Sequence, residues 1–67
     1  MPAHVSKSIE ITGSSTVSVD EAIRAAVAKS TETVRNVEWF KVVSTRGHVA
    51  DEKLYFQVTL KIGFRLD

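Results

Sequence analysis

Trp39 is the residue of this chain whose type and position best suit contact with another molecule. It stands beside Phe40 in the segment VEWFKVV (residues 37–43), which predicts a β-strand. Successive side chains of a strand point to opposite faces of the sheet, so Trp39 and Phe40 cannot share one core. If Phe40 faces the core, the indole projects from the opposite face. There it would anchor a subunit interface or stack on a flat ligand, and the sequence leaves both possibilities open.

The charged and nucleophilic residues do not form a catalytic arrangement. Glu10, Glu21 and Glu38 are scattered, and nothing pairs them as general acid and base. No serine has a histidine at a meaningful spacing, and the segment ITGSST has one glycine and no following GK, so it is not a phosphate loop. The two histidines, His4 and His48, would make a poor metal cage. The lack of cysteine excludes disulfides and thiolate metal sites.

The pattern along the chain predicts an α+β fold in a single domain of residues 1–67, with the order β-α-β-β. Strands are predicted at 5–12, 37–47 and 54–66, with a hairpin loop at 48–53. Ser18 and Glu21 form a capping box at the start of a helix of about 17 residues. Arg35 is expected in its last turn, where a cation complements the helix dipole, and Asn36 is expected to end it in a left-handed conformation.

The predicted third strand has an apolar face that we expect to meet the helix: Leu54, Phe56, Val58, Leu60, Ile62, Phe64 and Leu66. Phe40 and Val42 of the second strand are expected in the same core. The uncovered face should then carry Trp39, Lys41, Val43, Thr45, Tyr55, Gln57 and Thr59. A hairpin closed by residues 48–51 places residue 45 opposite 55 and residue 39 opposite 61. Gln57 would then lie about 13 Å from Trp39 along the sheet.

Length and composition favour self-association. A domain of this size buries only about 60% of the surface of its unfolded chain, and neither disulfides nor a metal cage is available to stabilise it. Nine basic and eight acidic residues nearly cancel, which disfavours a nucleic-acid partner. No apolar run approaches the roughly 20 residues of a membrane span, and the N-terminal segment lacks the apolar region of a signal peptide. A cytoplasmic location is therefore expected.

Three short motifs follow the capped helix: WFKVVSTRG at 39–47, FQVT at 56–59 and GFRL at 63–66. In this order and spacing the chain resembles the dodecins, small flavin-binding proteins of bacteria and archaea, and is most similar to the bacterial type. The resemblance implies a β-α-β-β subunit whose three-stranded antiparallel sheet wraps partly around one helix. It also implies a hollow shell of twelve subunits, in which flavins bind in pairs between symmetry-related tryptophans.

The resemblance assigns three residues to the flavin site. Trp39 matches the family's stacking tryptophan, Gln57 its flavin-binding glutamine, and Arg46 an arginine that the bacterial branch associates with FMN. Riboflavin and FAD are the alternative ligands. An indole can stack on the flavin ring, a carboxamide offers a donor and an acceptor to its pyrimidine edge, and a guanidinium can bind a phosphate. Without the resemblance, Gln57 is an ordinary solvated strand residue and Arg46 an ordinary cation before the turn.

The resemblance further implies a protein without catalytic activity that stores flavin and quenches its photochemistry. The competing hypotheses are a purely structural oligomer and a flavin-dependent enzyme, which would need an open flavin face and a proton donor. Some bacterial dodecins also carry coenzyme A, and four basic residues could hold its phosphates or form a solvated surface: Lys7, Lys29, Arg35 and Arg65. Tyr55 is expected to pack in an interface, and His48 to lie in the hairpin loop without a role.

Overall fold

The computed structural model describes residues 4–66 and arranges them as one antiparallel sheet and one helix. The elements are β1 (Ser6–Ser15), α1 (Val19–Thr33), β2 (Val37–Ala50) and β3 (Lys53–Arg65). The sheet order is β1-β3-β2, so β3 pairs with both other strands. The predicted α+β fold and its β-α-β-β order are therefore confirmed. Residues 1–3 and Asp67, which the predicted domain includes, lie outside the described residues.

Ser18 caps α1 as predicted. Its backbone is extended, and the N–H of Glu21 donates to its Oγ at 3.0 Å, which satisfies one of the amides that a helix N-terminus leaves free. The Glu21 carboxylate does not return to Ser18 but forms an exposed ion pair with Arg24 at 3.6 Å. Such a pair contributes about 0.2–0.5 kcal/mol, against about 0.5–2 kcal/mol for the cap. The cap therefore contributes more than the ion pair to the stability of the start of the helix.

The helix ends at Thr33, before Arg35 and Asn36. Val34 is extended, while its N–H still donates to the carbonyl of Ser30 at 2.8 Å. Arg35 thus lies beyond the last turn, and the prediction that it complements the helix dipole from within that turn is wrong. Asn36 does adopt the left-handed conformation, with φ at 61°. It directs the chain into β2 and does not itself end the helix.

The core lies between α1 and the middle of β3. Five apolar residues there are buried: Ala22, Ala26, Val58, Leu60 and Ile62. The alanines bring α1 close to the sheet, and a Cβ on Gly13 of β1 would lie 2.5 Å from the carbonyl oxygen of Ala22. Gly13 therefore permits this close approach. The first strand does not end at residue 12, as predicted, but continues to Ser15, because β3 is long enough to pair with all of it.

The hairpin between β2 and β3 is tighter than predicted. Ala50 pairs with Lys53, and the turn consists of Asp51 and Glu52 alone, with φ at 51° and 62°. Two central residues with positive φ match the twist of the flanking strands. The predicted loop at 48–53 is therefore wrong, and β2 is three residues longer than the predicted strand at 37–47.

The helix packs over β1 and β3 and hardly reaches β2. Phe40 and Val42 lie on the helix side of the sheet, opposite buried residues of β3, yet they are 49% and 40% exposed. Their predicted place in the subunit core is wrong, because a helix about 10 Å wide covers only two strands about 4.8 Å apart. Leu54 and Leu66, at the ends of the predicted apolar face, are also exposed, because the core covers only the middle of β3.

Candidate functional site

Trp39 lies on the open face of the sheet, the face opposite α1. Cross-strand partners share a face, and Trp39 pairs with Gly63, whereas Phe40 pairs with the buried Ile62. The predicted opposition of Trp39 and Phe40 is therefore confirmed. The Trp39 side chain is 44% exposed, although Gly63 beneath it is buried.

The indole of Trp39 rests face-down on the backbone of Gly63. A Cβ placed on Gly63 would overlap the indole, with Cε2 nearest and its bonded neighbours Cζ2 and Nε1 at equal distances. A Cβ that lies over the face of the ring is farther from both neighbours than from Cε2, which is the arrangement found here. A Cβ at the edge of the ring would be at least as close to the neighbours as to Cε2. One face of the indole is thus covered by β3, and the other face points away from the sheet.

A β-bulge at Val43 decides which later residues of β2 reach the open face. Val42 and Ser44 pair with consecutive residues of β3, so Val43 is an extra residue without a partner of its own. Side chains alternate with a period of two, and one extra residue reverses the alternation beyond it. The sequence pattern shows no sign of this reversal.

The bulge brings Arg46 onto the same face as Trp39 and Gln57. Arg46 and Gln57 are cross-strand partners, while Thr45 pairs with the buried Val58 on the helix side. The predicted place of Thr45 on the open face is therefore wrong. Strict alternation from Trp39 would also have turned Arg46 toward the helix side, away from the two other candidate residues.

Trp39 and Gln57 lie toward opposite ends of the open face. Trp39 pairs with Gly63 and not with residue 61, because the chain turns at Asp51 and Glu52 and not within residues 48–51. The bulge at Val43 reduces this shift by one residue. Gln57 and Gly63 are six positions apart on β3, or about 20 Å of extended strand, so the predicted separation of about 13 Å is wrong. Within one subunit, these two side chains cannot contact the same flavin ring.

His48 and Tyr55 form a stacked pair at the hairpin end of the open face. Their ring centroids are 4.8 Å apart and their planes differ by 6°, and the two residues are cross-strand partners. The loop predicted for 48–53 hides this pair, whereas a two-residue turn places His48 directly opposite Tyr55. The pair could therefore have been predicted only from the two-residue length of the turn.

The guanidinium of Arg46 is available to an anion. It has no hydrogen bond or ion pair with any of the residues 4–66. Lys41 and Lys61, which are cross-strand partners, lie between Arg46 and Trp39 on the same face, and Glu10 of β1 flanks Lys61 on its other side. The open face therefore offers cations on β2 and a carboxylate near its β1 edge.

The four cations that the resemblance links to coenzyme A do not form one cluster. Arg35 and Arg65 line the same depression at the end of α1, where Arg65 also pairs with Glu38 at 3.6 Å. Lys29 lines a separate groove between α1 and β1, and Lys7 lies in β1. Only the two arginines are brought together.

Two other kinds of site lack support in the part of the chain that the structure describes. No three His, Cys, Asp or Glu residues there are arranged to hold a metal ion. None of its helices is both long and apolar enough to cross a membrane. The three residues predicted to bind flavin, Trp39, Arg46 and Gln57, share the open face of the sheet.

Comparisons with known proteins agree with one another. The Dodecin family model matches residues 5–67. A dodecin of Thermus thermophilus is 38% identical over 64 residues, which cover 94% of this chain and 93% of that protein. The structure of a dodecin from Streptomyces davaonensis is 40% identical, with coverage of 98% of both chains and a TM-score of 0.93. A calcium dodecin from Mycobacterium tuberculosis, described as calcium chelating, is 25% identical over 94% of this chain and 91% of its own, with a TM-score of 0.85.

Proposed function

This chain belongs to the dodecin family, and we propose that it binds flavins by stacking them on Trp39 and sequesters them in a homododecameric shell. The observation that carries the proposal is the orientation of the indole, which has one face on Gly63 and the other exposed. A free aromatic face accepts a second ring in an offset stack, worth about 0.5–1.5 kcal/mol beyond the area buried.

In this proposal two flavins stack between the Trp39 side chains of two symmetry-related subunits. Each indole has one free face and can therefore cover one outer face of a stacked pair. A flavin enclosed in this way has no face left for a substrate, which supports storage and argues against catalysis. An indole next to an excited flavin can donate an electron and accept it back, which would quench the photochemistry of the ligand.

The polar contacts to each flavin come from a different subunit than the stacking indole. The basis is the separation of Trp39 and Gln57, about 20 Å along β3. A neighbouring subunit would then supply Gln57 for the pyrimidine edge and Arg46 for a phosphate. Because riboflavin lacks a phosphate, Arg46 favours FMN over riboflavin.

Apolar side chains exposed on both faces of the sheet support self-association. Besides Trp39, they are Phe40, Val42, Val43, Val49 and Leu54. Phe40 borders a groove with Ile23 and Val27 of α1, and Val49 and Leu54 are cross-strand partners near the hairpin turn. Monomeric proteins rarely expose large contiguous apolar patches. Neighbouring subunits of a dodecamer would cover these residues.

Coenzyme A binding is a second proposal, and it is supported by the depression that Arg35 and Arg65 share. Guanidinium groups suit phosphates, but Lys7 and Lys29 lie outside this depression, so two of the four matched cations would take part. A titration of the protein with coenzyme A, with Arg35→Ala as the variant, would test it. Equal affinity of the variant and the wild type would exclude this depression as the site.

The first test of the flavin proposal is the ligand and the mass of the particle. We expect purified protein to be yellow, to release FMN or a related flavin on denaturation, and to have about twelve times the subunit mass of 7.4 kDa. A colourless particle that takes up no added flavin would support the purely structural oligomer. A stable monomer would contradict the proposed shell.

Trp39→Ala tests the stacking residue. We expect most flavin binding to be lost and the fluorescence of any remaining flavin to be restored, while the subunit stays folded because the indole lies outside the core. The matched control is Val43→Ala, which removes another half-exposed apolar side chain from β2 and should leave quenching unchanged. The measurements are a flavin titration and a thermal melt. Flavin that is still quenched by Trp39→Ala protein would exclude the indole as the stacking partner.

Mixed shells test whether each site is shared between subunits. Trp39→Ala and Gln57→Ala subunits would be unfolded together and reassembled. If the two residues of one site come from different chains, some mixed sites contain both intact residues, and binding exceeds that of either pure variant. If they come from the same chain, every site carries one lesion and mixing restores nothing.

A further inference from the structure

Gly63 has no conformational reason to be glycine. It lies inside β3, the central strand, and none of the glycines within residues 4–66 has a positive φ. Glycine weakens a strand interior because it loses more conformational entropy on folding and has no side chain to pack. Its presence at this position therefore requires another explanation.

The explanation is the space that Trp39 occupies. A Cβ on Gly63 would overlap the indole at Cε2, Cζ2 and Nε1. At this position β3 is paired on both sides, with Ser8 of β1 and with Trp39 of β2, so its backbone cannot withdraw without loss of strand pairing. Any side chain at position 63 must therefore displace the indole.

We propose that Gly63 is a positioning residue for flavin stacking, an inference that deepens the proposed function and rests on it. Because Gly63 has no side chain, the indole lies face-down on β3 and its free face points directly away from the sheet. A ligand ring can then stack parallel to the sheet. An indole tilted by a side chain at position 63 would present part of its edge and lose overlap with that ring.

Gly63→Ala tests the proposal, with Gly47→Ala as the matched control. Gly47 also lies within a strand, but a Cβ there would contact a backbone oxygen of Tyr55 at 3.1 Å and no indole atom. Because Trp39 is the single tryptophan of the chain, the emission of flavin-free protein reports the position of the indole. Gly63→Ala should shift this emission and make it more sensitive to acrylamide, whereas Gly47→Ala should leave it unchanged.

The ligand readout follows from the same change. Gly63→Ala should weaken FMN and riboflavin alike, by roughly tenfold, because the lost overlap concerns the ring that both share. Unchanged indole emission together with unchanged affinity for both flavins would overturn the proposal. Wild-type protein that binds no flavin would overturn the proposed function instead, and the two failures are distinct because the emission is measured without ligand.

A double variant keeps the test decisive if Gly63→Ala does not assemble. If the overlap with the indole is the cause, Trp39→Ala combined with Gly63→Ala should fold and assemble like Trp39→Ala alone, since the clashing ring is gone. Circular dichroism and the mass of the particle measure this rescue. A double variant that also fails to assemble would overturn the proposal, because Gly63 would then be required for a reason other than the indole.

Discussion

Removal of the Arg46 side chain should separate flavins that carry a phosphate from those that do not. In Arg46→Ala we expect the affinity for FMN to fall and the affinity for riboflavin to change little. The reason is that the guanidinium is proposed to contact the phosphate, while the ring is held by Trp39 and Gln57. The comparison of the two ligands therefore isolates a single contact.

The structure allows the size of this effect to be worked out. Arg46 is exposed and has no hydrogen bond or ion pair within residues 4–66, so its truncation should change the free energy of unfolding by no more than about 0.5 kcal/mol. A hydrogen bond to a charged group contributes about 1.5–3 kcal/mol. The Kd for FMN should therefore rise by roughly 10- to 150-fold.

The assay is a parallel titration of flavin-free protein with FMN and riboflavin, followed by the quenching of flavin fluorescence. Arg46→Lys keeps the charge but loses the two-pronged geometry, so its loss of FMN affinity should be intermediate. Lys41→Ala removes another cation from the open face of β2 and should leave the ratio of the two Kd values unchanged. Added salt should weaken FMN binding more in the wild type than in Arg46→Ala.

Equal losses for FMN and riboflavin in Arg46→Ala would refute this reasoning, because Arg46 would then contact the ring or support the hairpin. A loss for FMN of the same size in Lys41→Ala would refute it in another way. The phosphate would then respond to the overall positive charge of the open face and not to a specific contact with Arg46.

Two further predictions concern stability at a fixed protein concentration. Leu60→Ala should lower the free energy of unfolding in urea by about 2–5 kcal/mol, because Leu60 is completely buried; a loss as small as that of the exposed control Val17→Ala would contradict the assigned core. Glu52→Gly should raise the thermal midpoint, because Glu52 has φ at 62°, which costs a residue with a Cβ about 1–2 kcal/mol, only partly offset by the entropy of glycine. A lower midpoint would show that the Glu52 side chain itself supports the turn.

Much of the fold could be predicted from the sequence, because the signals that specify it are local. The cap at Ser18, the helical spacing that follows it and the alternation along β3 each depend on the geometry of a few neighbouring residues. The opposition of Trp39 and Phe40 belongs to this class, since the two residues are adjacent and no bulge separates them. The side of the sheet that carries the indole was therefore predictable.

The register of the hairpin was not predictable, because it depends on features that leave no local signal. The turn residues Asp51 and Glu52 are not the Asn-Gly or Asp-Gly pair that indicates a two-residue turn, and nothing in the sequence around Val43 marks it as the bulged residue. The alternation of side chains between the two faces of a strand can be extended only as far as the first bulged residue. For this reason the sequence pattern placed Thr45 on the wrong face of the sheet. It also did not show that Arg46 and Gln57 are cross-strand partners.

Burial and close approach were likewise decided by the tertiary structure. Phe40 and Leu60 fit the same apolar pattern, but only Leu60 is buried, because α1 lies over β1 and β3 and leaves β2 uncovered. In the sequence, Gly63 is a glycine inside a predicted strand, which would only weaken that strand. Its contact with Trp39 exists only once β2 and β3 are paired. The sequence by itself determined the kind of each element and the face of Trp39. The tertiary structure decided which residues share that face and what lies beneath the indole, because these depend on residues far apart in the chain.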